Sequence, residues 1–221
     1  MANLAIFDLD YTLTKRGTWG RFVLRSIKSK PLAWLPFIFS TIKAQSLYKM
    51  GKTPRVTVKQ AMMRWSLVGA PKEDVVQLAD SFAQQEVQNG FRPGAWKALE
   101  HHRANGDTII IASAAVCVIV EAIADRLDVD HWVATEMKWE AGRLAPDFAS
   151  PNCYGAEKLN RVKNLLAEHP GLQQEDTSIT VYSDSYADMD ILRFADKAVA
   201  VNADAKLRQA AKAEGFELAE W

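Results

Sequence analysis

Short apolar runs, each followed by a helical pattern, recur along this 221-residue chain and narrow the folds open to it. Residues 3–8, 107–112, 178–182 and 198–201 read as buried strands, rich in Ile and Val and too short for helices. Residues 95–104, 116–127, 156–168, 186–194 and 205–213 read as helices, with Asn105-Gly106 and His169-Pro170-Gly171 as stop signals. A last short strand falls at 216–218. Strands that alternate with helices predict a parallel, doubly wound α/β sheet. Residues 132–138 and 139–144 read as the arms of a hairpin around Glu140-Ala141-Gly142.

One stretch breaks this rhythm. Helical patches at 17–28, 41–50, 56–67 and 72–89 follow one another without a strand between them. Lys30-Pro31 interrupts them, and the apolar, aromatic segment 32–42 comes next. The turn Phe91-Arg92-Pro93-Gly94 closes the stretch. Residues 15–91 therefore read as an all-helical insert after the first strand, and 1–14 with 92–221 as the domain that carries it.

The first strand ends in Asp8-Leu9-Asp10-Tyr11-Thr12. At a strand's C-terminal end the chain turns, so that a carboxylate and a neighbouring main-chain carbonyl can face one crevice, where open α/β sheets bind ligands. Close carboxylates repel, and a hard cation such as Mg²⁺ relieves them. The second strand ends in Ile111-Ala112-Ser113 just before a helix; this serine suits either an anion at the helix N-terminus or a plain N-cap. Ser183-Asp184 closes the third strand, with Asp188 one helical turn on. The two acids suit either a shared cation or the favourable end of a helix dipole. Lys158, on a helix, says nothing alone.

Taken in order, Asp8-x-Asp10-x-Thr12, Ser113, Lys158 and Ser183-Asp184-x-x-x-Asp188 resemble the four motifs of the haloacid dehalogenase superfamily. The threonine after the second aspartate is similar to that superfamily's phosphatase branch. The helical insert resembles a C1-type cap, as in the phosphoserine-phosphatase-like subfamily IB. That resemblance covers essentially the whole chain. It implies a Rossmann-like core and a Mg²⁺-dependent phosphomonoester hydrolase. Asp8 would be the nucleophile that forms an aspartyl-phosphate, and Asp10 the general acid and base. Asp8, Asp184 and the carbonyl of Asp10 would hold Mg²⁺. Ser113 and Lys158 would bind the phosphoryl group, with Thr12 and Asp188 in support. A phosphotransferase would use the same intermediate, and a non-catalytic anion- or membrane-binding protein could keep the same fold.

Two positions depart from the phosphoserine phosphatases. The cap glutamate that reads the substrate ammonium is replaced by Gly17, and no Asp or Glu occurs from Tyr11 to Lys72. Phosphoserine is therefore not the expected substrate. Ala187 stands where those relatives usually place Asn.

The net charge of zero hides a segregation: the same stretch, 11–72, holds thirteen Lys and Arg residues. Arg16, Arg21 and Arg25 are its candidates for contact with an anionic substrate. Three readings compete: a solvated cationic face, a site for a substrate with several anionic groups, and transient contact with an anionic membrane through segment 32–42. No nucleic-acid motif accompanies the charge, and no obligate protein partner is evident. Apolar content of 48% supports a full core, and no run approaches the ~18 apolar residues of a membrane span. The first residues lead straight into a strand without a signal-like pattern, and Cys117 and Cys153 fit no ligand spacing. Buried, reduced thiols in a cytoplasmic enzyme are the expectation.

Overall fold

A computed structural model describes residues 3–174 and 176–221. Six parallel strands form the central sheet, in the order β3-β2-β1-β6-β7-β8. They are β1 (Leu4–Phe7), β2 (Thr108–Val116), β3 (His131–Thr135), β6 (Ile179–Ser183), β7 (Lys197–Val201) and β8 (Glu217–Ala219). Between β1 and β2 run five helices: α1 (Thr18–Ile27), α2 (Trp34–Lys49), α3 (Arg55–Ser66), α4 (Lys72–Gln85) and α5 (Pro93–Ala104). The remaining helices are α6 (Cys117–Arg126), α7 (Ala156–Glu168), α8 (Met189–Phe194) and α9 (Ala205–Glu214).

Alternation along the strands divides the core in two. Ala5, Phe7, Ile109, Ile111 and Tyr182 join one apolar cluster, with Leu99 of α5 and Ile119 of α6. Leu4, Ile6, Ile110 and Val181 join the other, with Val162 of α7 and Leu207 of α9. Both faces of the sheet are thus covered, as the continuous apolar strands require. The first cluster runs on into the insert through Phe22, Met63, Val75 and Phe82.

The expected hairpin is displaced. Residues 131–135 belong to the main sheet, pairing in parallel with β2. The hairpin arms are instead β4 (Met137–Glu140) and β5 (Arg143–Phe148). The turn lies where expected: Ala141 and Gly142 both take positive φ, 46° and 74°, as a tight two-residue hairpin turn demands. Cys117 and Cys153 are buried free thiols, and burial raises their pKa values to about 12 and about 11. No helix among the described residues is long and apolar enough to cross a membrane.

Two connections join the insert to the sheet, and they lie side by side. Thr14 bridges to Phe91 in antiparallel fashion, Lys15 N–H donates to the Gly90 carbonyl at 2.8 Å, and Arg92 N–H donates to the Leu13 carbonyl at 3.0 Å.

Candidate active site

Chain direction across the sheet reverses between β1 and β6. From β1 the chain moves outward to β2 and β3; from β6 it moves the other way, to β7 and β8. The crevice at the C-terminal ends of β1 and β6 is the switch point where such sheets bind ligands. Asp8 follows the last residue of β1, and Asp184 the last residue of β6.

After Asp8 the chain makes one wide turn over Leu9–Leu13, closed by Thr14 N–H donating to the Leu9 carbonyl at 2.9 Å. Tyr11 is held at φ 65°, a left-handed conformation uncommon outside glycine. This turn brings Thr12 back beneath Asp8. The Thr12 hydroxyl lies 3.2 Å from both Asp8 Oδ2 and Asp184 Oδ1, and accepts from the Asp184 N–H at 3.0 Å.

Lys158 lies on the other side of Asp8. Its ammonium donates to Asp8 Oδ1 and to Asp188 Oδ2, each at 2.7 Å, and the Ser183 hydroxyl donates to the same Asp188 oxygen at 2.6 Å. Asp188 thus orients Lys158. Burial opposes the charge on Lys158, but Asp188 and Asp8 together raise its pKa and keep it an ammonium. Burial pushes the Asp8 carboxyl up to about 8 against the pull of Lys158, and Asp188 and Asp184 add to the rise. Asp184 is pushed to about 6, again chiefly by burial.

Ser113 differs from its expected setting. Strand β2 continues past it to Val116, so Ser113 is not the N-cap of α6. The pairing of β2 with β3 shifts register between Ala112 and Val116, and a bulge of this kind re-aims side chains beside a site. The buried Ser113 Oγ accepts from the Ala115 N–H at 3.0 Å, which leaves its proton free to donate.

Asp8, Asp10, Ser113, Lys158, Asp184 and Asp188 line one cavity of about 240 Å³, with Tyr11, Arg55 and Tyr154 at its wall. A second cavity, of about 480 Å³, shares Asp10, Tyr11, Arg55 and Ala114 with the first and extends into the insert. Asp10 therefore stands where the two meet. Its carboxylate accepts from Thr18, at 2.8 Å from the main chain and 2.7 Å from the hydroxyl. Burial raises its pKa, opposed by these two hydrogen bonds.

Arg16, Arg21 and Arg25 are not among the residues that line either cavity. Arg21 is paired with the buried Glu86, and Arg25 reaches Gln85 at 2.7 Å and Ser81 at 3.2 Å. Both arginines tie α1 to α4 and its C-terminal extension. Exposed Arg16 lies on the connection, its carbonyl accepting from the Thr14 hydroxyl. The cations that do face the cavities come from α3: Arg55 and Lys59, with Val58 and Met62. Their i, i+3, i+4, i+7 spacing was the signal available in the sequence. Lys59 is buried, donates to the Ala114 carbonyl and to Asn152 Oδ1, and has its pKa lowered by burial to about 8, with Asp10 opposing the fall.

Charge balance speaks to a metal ion. Four acids, Asp8, Asp10, Asp184 and Asp188, line the smaller cavity against two cations, Lys158 and Arg55. The shortfall of two charges, among hard oxygen donors, fits a divalent cation such as Mg²⁺. Among the described residues no three His, Cys, Asp or Glu side chains converge as a ready-made site. Both Thr18 bonds fall on Asp10 Oδ1, which leaves Oδ2 and the main-chain carbonyl as the groups Asp10 has to offer.

Residues 5–193 match the family model of the haloacid dehalogenase-like hydrolases. The chain belongs to that family. Among its relatives is a histidinol-phosphatase of Neisseria meningitidis, 22% identical over 98% of this chain and 97% of that protein. Another is the phosphoserine phosphatase SerB1 of Mycobacterium tuberculosis, 25% identical over 97% of this chain and 69% of that one. A Bordetella pertussis protein of unknown function shares the fold with a TM-score of 0.84, at 22% identity over 99% of both chains. A substrate-bound phosphoserine phosphatase does so with a TM-score of 0.66, at 17% identity over 99% of this chain and 93% of that one. This haloacid dehalogenase-like hydrolase thus has a Rossmann-like core in which the four motif segments meet at one crevice.

Proposed function

We propose that this hydrolase is a phosphatase that cleaves phosphomonoesters through an aspartyl-phosphate on Asp8. The reading rests above all on one arrangement: Asp8 is clamped between Lys158 and Thr12 on the floor of a cavity, with Asp10 at the boundary between that cavity and a larger one. The phosphoryl group belongs in the smaller cavity and the rest of the substrate in the larger.

Asp8 attacks phosphorus with a carboxylate oxygen, and the bond to the ester oxygen breaks. Asp10, whose pKa burial raises, gives a proton to the departing alkoxide, then takes one from the water that opens the acyl-phosphate. Free phosphate leaves and Asp8 is regenerated. Lys158 and the Ser113 hydroxyl hold the phosphoryl oxygens, and Asp188 keeps Lys158 aimed. Mg²⁺, held by Asp8, Asp184 and the Asp10 carbonyl, would supply the positive charge that lets a carboxylate approach a phosphate.

Residues 15–91 act as the cap over this site. The larger cavity is lined by two cations, Arg55 and Lys59. Its single carboxylate, Asp10, is the group assigned to the acid–base step, with one oxygen bonded to Thr18. A leaving group with a second anionic or acceptor group suits this lining, and a free ammonium does not. The favoured substrate is thus a small anionic or lipid-like phosphate ester, and phosphoserine is disfavoured.

Phosphate release from a panel of monoesters, with and without Mg²⁺, tests the reading. The panel spans phosphoserine, sugar phosphates, nucleotides and lysophosphatidate. Mg²⁺-dependent release that disappears in Asp8→Asn is expected, with the esters that carry a second anion ahead of phosphoserine. Release that survives in Asp8→Asn would sink the mechanism.

A further inference from the structure

Helix α2 is apolar on two sides. Phe37 and Ala44 are buried in the insert, and Gln45 and Tyr48 face the larger cavity. On the outer side Leu35, Phe39 and Ile42, spaced i, i+4, i+7, are 80%, 73% and 62% exposed, and Leu32, just before the helix, is 94% exposed. Single exposed apolar residues need no explanation, but a contiguous stripe of large ones marks an interaction surface. A helix apolar all round belongs in a core or in lipid.

The charge beside the stripe has one sign. Lys28, Lys43, Lys49 and Lys52 are exposed around it, and residues 11–72 supply no acid to pair with them. A second copy docking face to face would bring like charges together. The convex stripe projects side chains outward, as insertion into a soft apolar medium requires. Lysines at its margin can bury their stems while the ammonium stays at the surface. A surface apolar below and negative above matches both features.

We propose that α2 is an interfacial helix that seats the protein on an anionic lipid bilayer. Leu32, Leu35, Phe39 and Ile42 enter the acyl boundary, and Lys28, Lys43, Lys49 and Lys52 meet the headgroups. One helix diameter then separates the bilayer from the larger cavity, because α2 also forms part of that cavity's wall.

The test is sedimentation of the full chain with vesicles of phosphatidylcholine containing phosphatidylglycerol, against vesicles of phosphatidylcholine alone. Binding is expected to favour the anionic vesicles by about tenfold or more at low salt and to weaken as salt rises. The double variant Leu35→Gln/Phe39→Gln, at exposed positions, should lose most of that binding while hydrolysing soluble esters like the wild type. No binding to anionic vesicles at low salt overturns the proposal, as does equal binding by the double variant. So does a wild-type dimer in light scattering that the double variant converts to monomer, because a second copy would then own this face.

Discussion

Asp10 and Thr18 are joined by two hydrogen bonds, from the N–H at 2.8 Å and from the hydroxyl at 2.7 Å, so the first residue of α1 holds the proposed acid in place. Both bonds stabilise the carboxylate. In Thr18→Val the hydroxyl bond is lost and the main-chain bond stays, so the Asp10 pKa rises further above its ordinary value. The alkaline limb of kcat/KM, where the acid loses its proton, should move to higher pH. The rate at its optimum should fall by about tenfold, as the acid is less well aimed. A pH–rate profile of the two proteins checks this; an unmoved alkaline limb would separate Asp10 from the protonation step.

Lys59 sets a second pH dependence. Burial lowers its pKa to about 8, so it is an ammonium below that pH and neutral above. KM for an ester with a second anionic group should therefore rise as pH passes 8, with kcat less affected. Replacing Lys59 by Met should raise KM by about tenfold at pH 7, the worth of one hydrogen bond to a charged group, and should flatten the dependence. Initial rates across pH 6.5–9.5, a range set about the lysine, read both effects.

Mg²⁺ should stabilise the fold apart from any turnover. At a hundredfold excess over its dissociation constant a ligand adds about 2.7 kcal/mol. Thermal denaturation with and without Mg²⁺ should show the midpoint rising in the wild type and barely moving in Asp184→Asn. An equal rise in both proteins would place the ion elsewhere.

Far from the crevice, Asp107 accepts from Asn3 N–H at 3.1 Å and lies 2.7 Å from His102 Nδ1, whose Nε2 lies 2.8 Å from the Tyr182 hydroxyl. Burial alone would raise the Asp107 pKa; the hydrogen bonds from His102 and Asn3 outweigh it and hold the carboxyl below its ordinary value. A carboxyl depressed in the folded state contributes stability that is fully present above its unfolded pKa, about 3.9, and is lost as pH falls through the folded one. Asp107→Asn should cost about 1–2 kcal/mol in urea denaturation at pH 7. The loss should shrink below about pH 4, where the wild type gives up the same contribution.

Asp8 and Asp184 were legible because they fall at strand ends, where local pattern and chemistry coincide, whereas Lys158 and Ser113 were singled out only by resemblance to the family motifs. Each of the two aspartates follows an apolar run and lies just past the C-terminal end of a strand. The limits lay where packing between segments decides. Trp132 and Lys138 sit within one run free of Gly and Pro, yet Glu136 separates a strand of the main sheet from a strand of the hairpin. No turn signal marks the change from one sheet to the other. Arg21 and Lys59 look alike in sequence, as basic residues on amphipathic helices. Arg21 finds Glu86, sixty-five positions away, whereas Lys59 finds Ala114 and Asn152 beside the cavity. Such partners are set by tertiary docking, which helix periodicity does not encode.

The paired connections at Thr14 and Phe91 limit how the insert can move. Two chain segments bonded side by side bend together about one line far more readily than they twist or slide apart. Arg92 reinforces that line, donating from Nε to the Tyr11 carbonyl at 3.0 Å and from Nη1 to the Trp221 carbonyl at 3.3 Å. A swing of residues 15–91 about that line would also have to part the main-chain bonds that tie Gly69, Ala70 and Lys72 to the β4–β5 hairpin. Such a swing would carry Thr18 and Lys59 away from Asp10 and Ala114 together, while Asp8, Lys158 and Asp188 keep their bonds to one another. In the proposed enzyme, admission of substrate and arming of the acid would then be one and the same event.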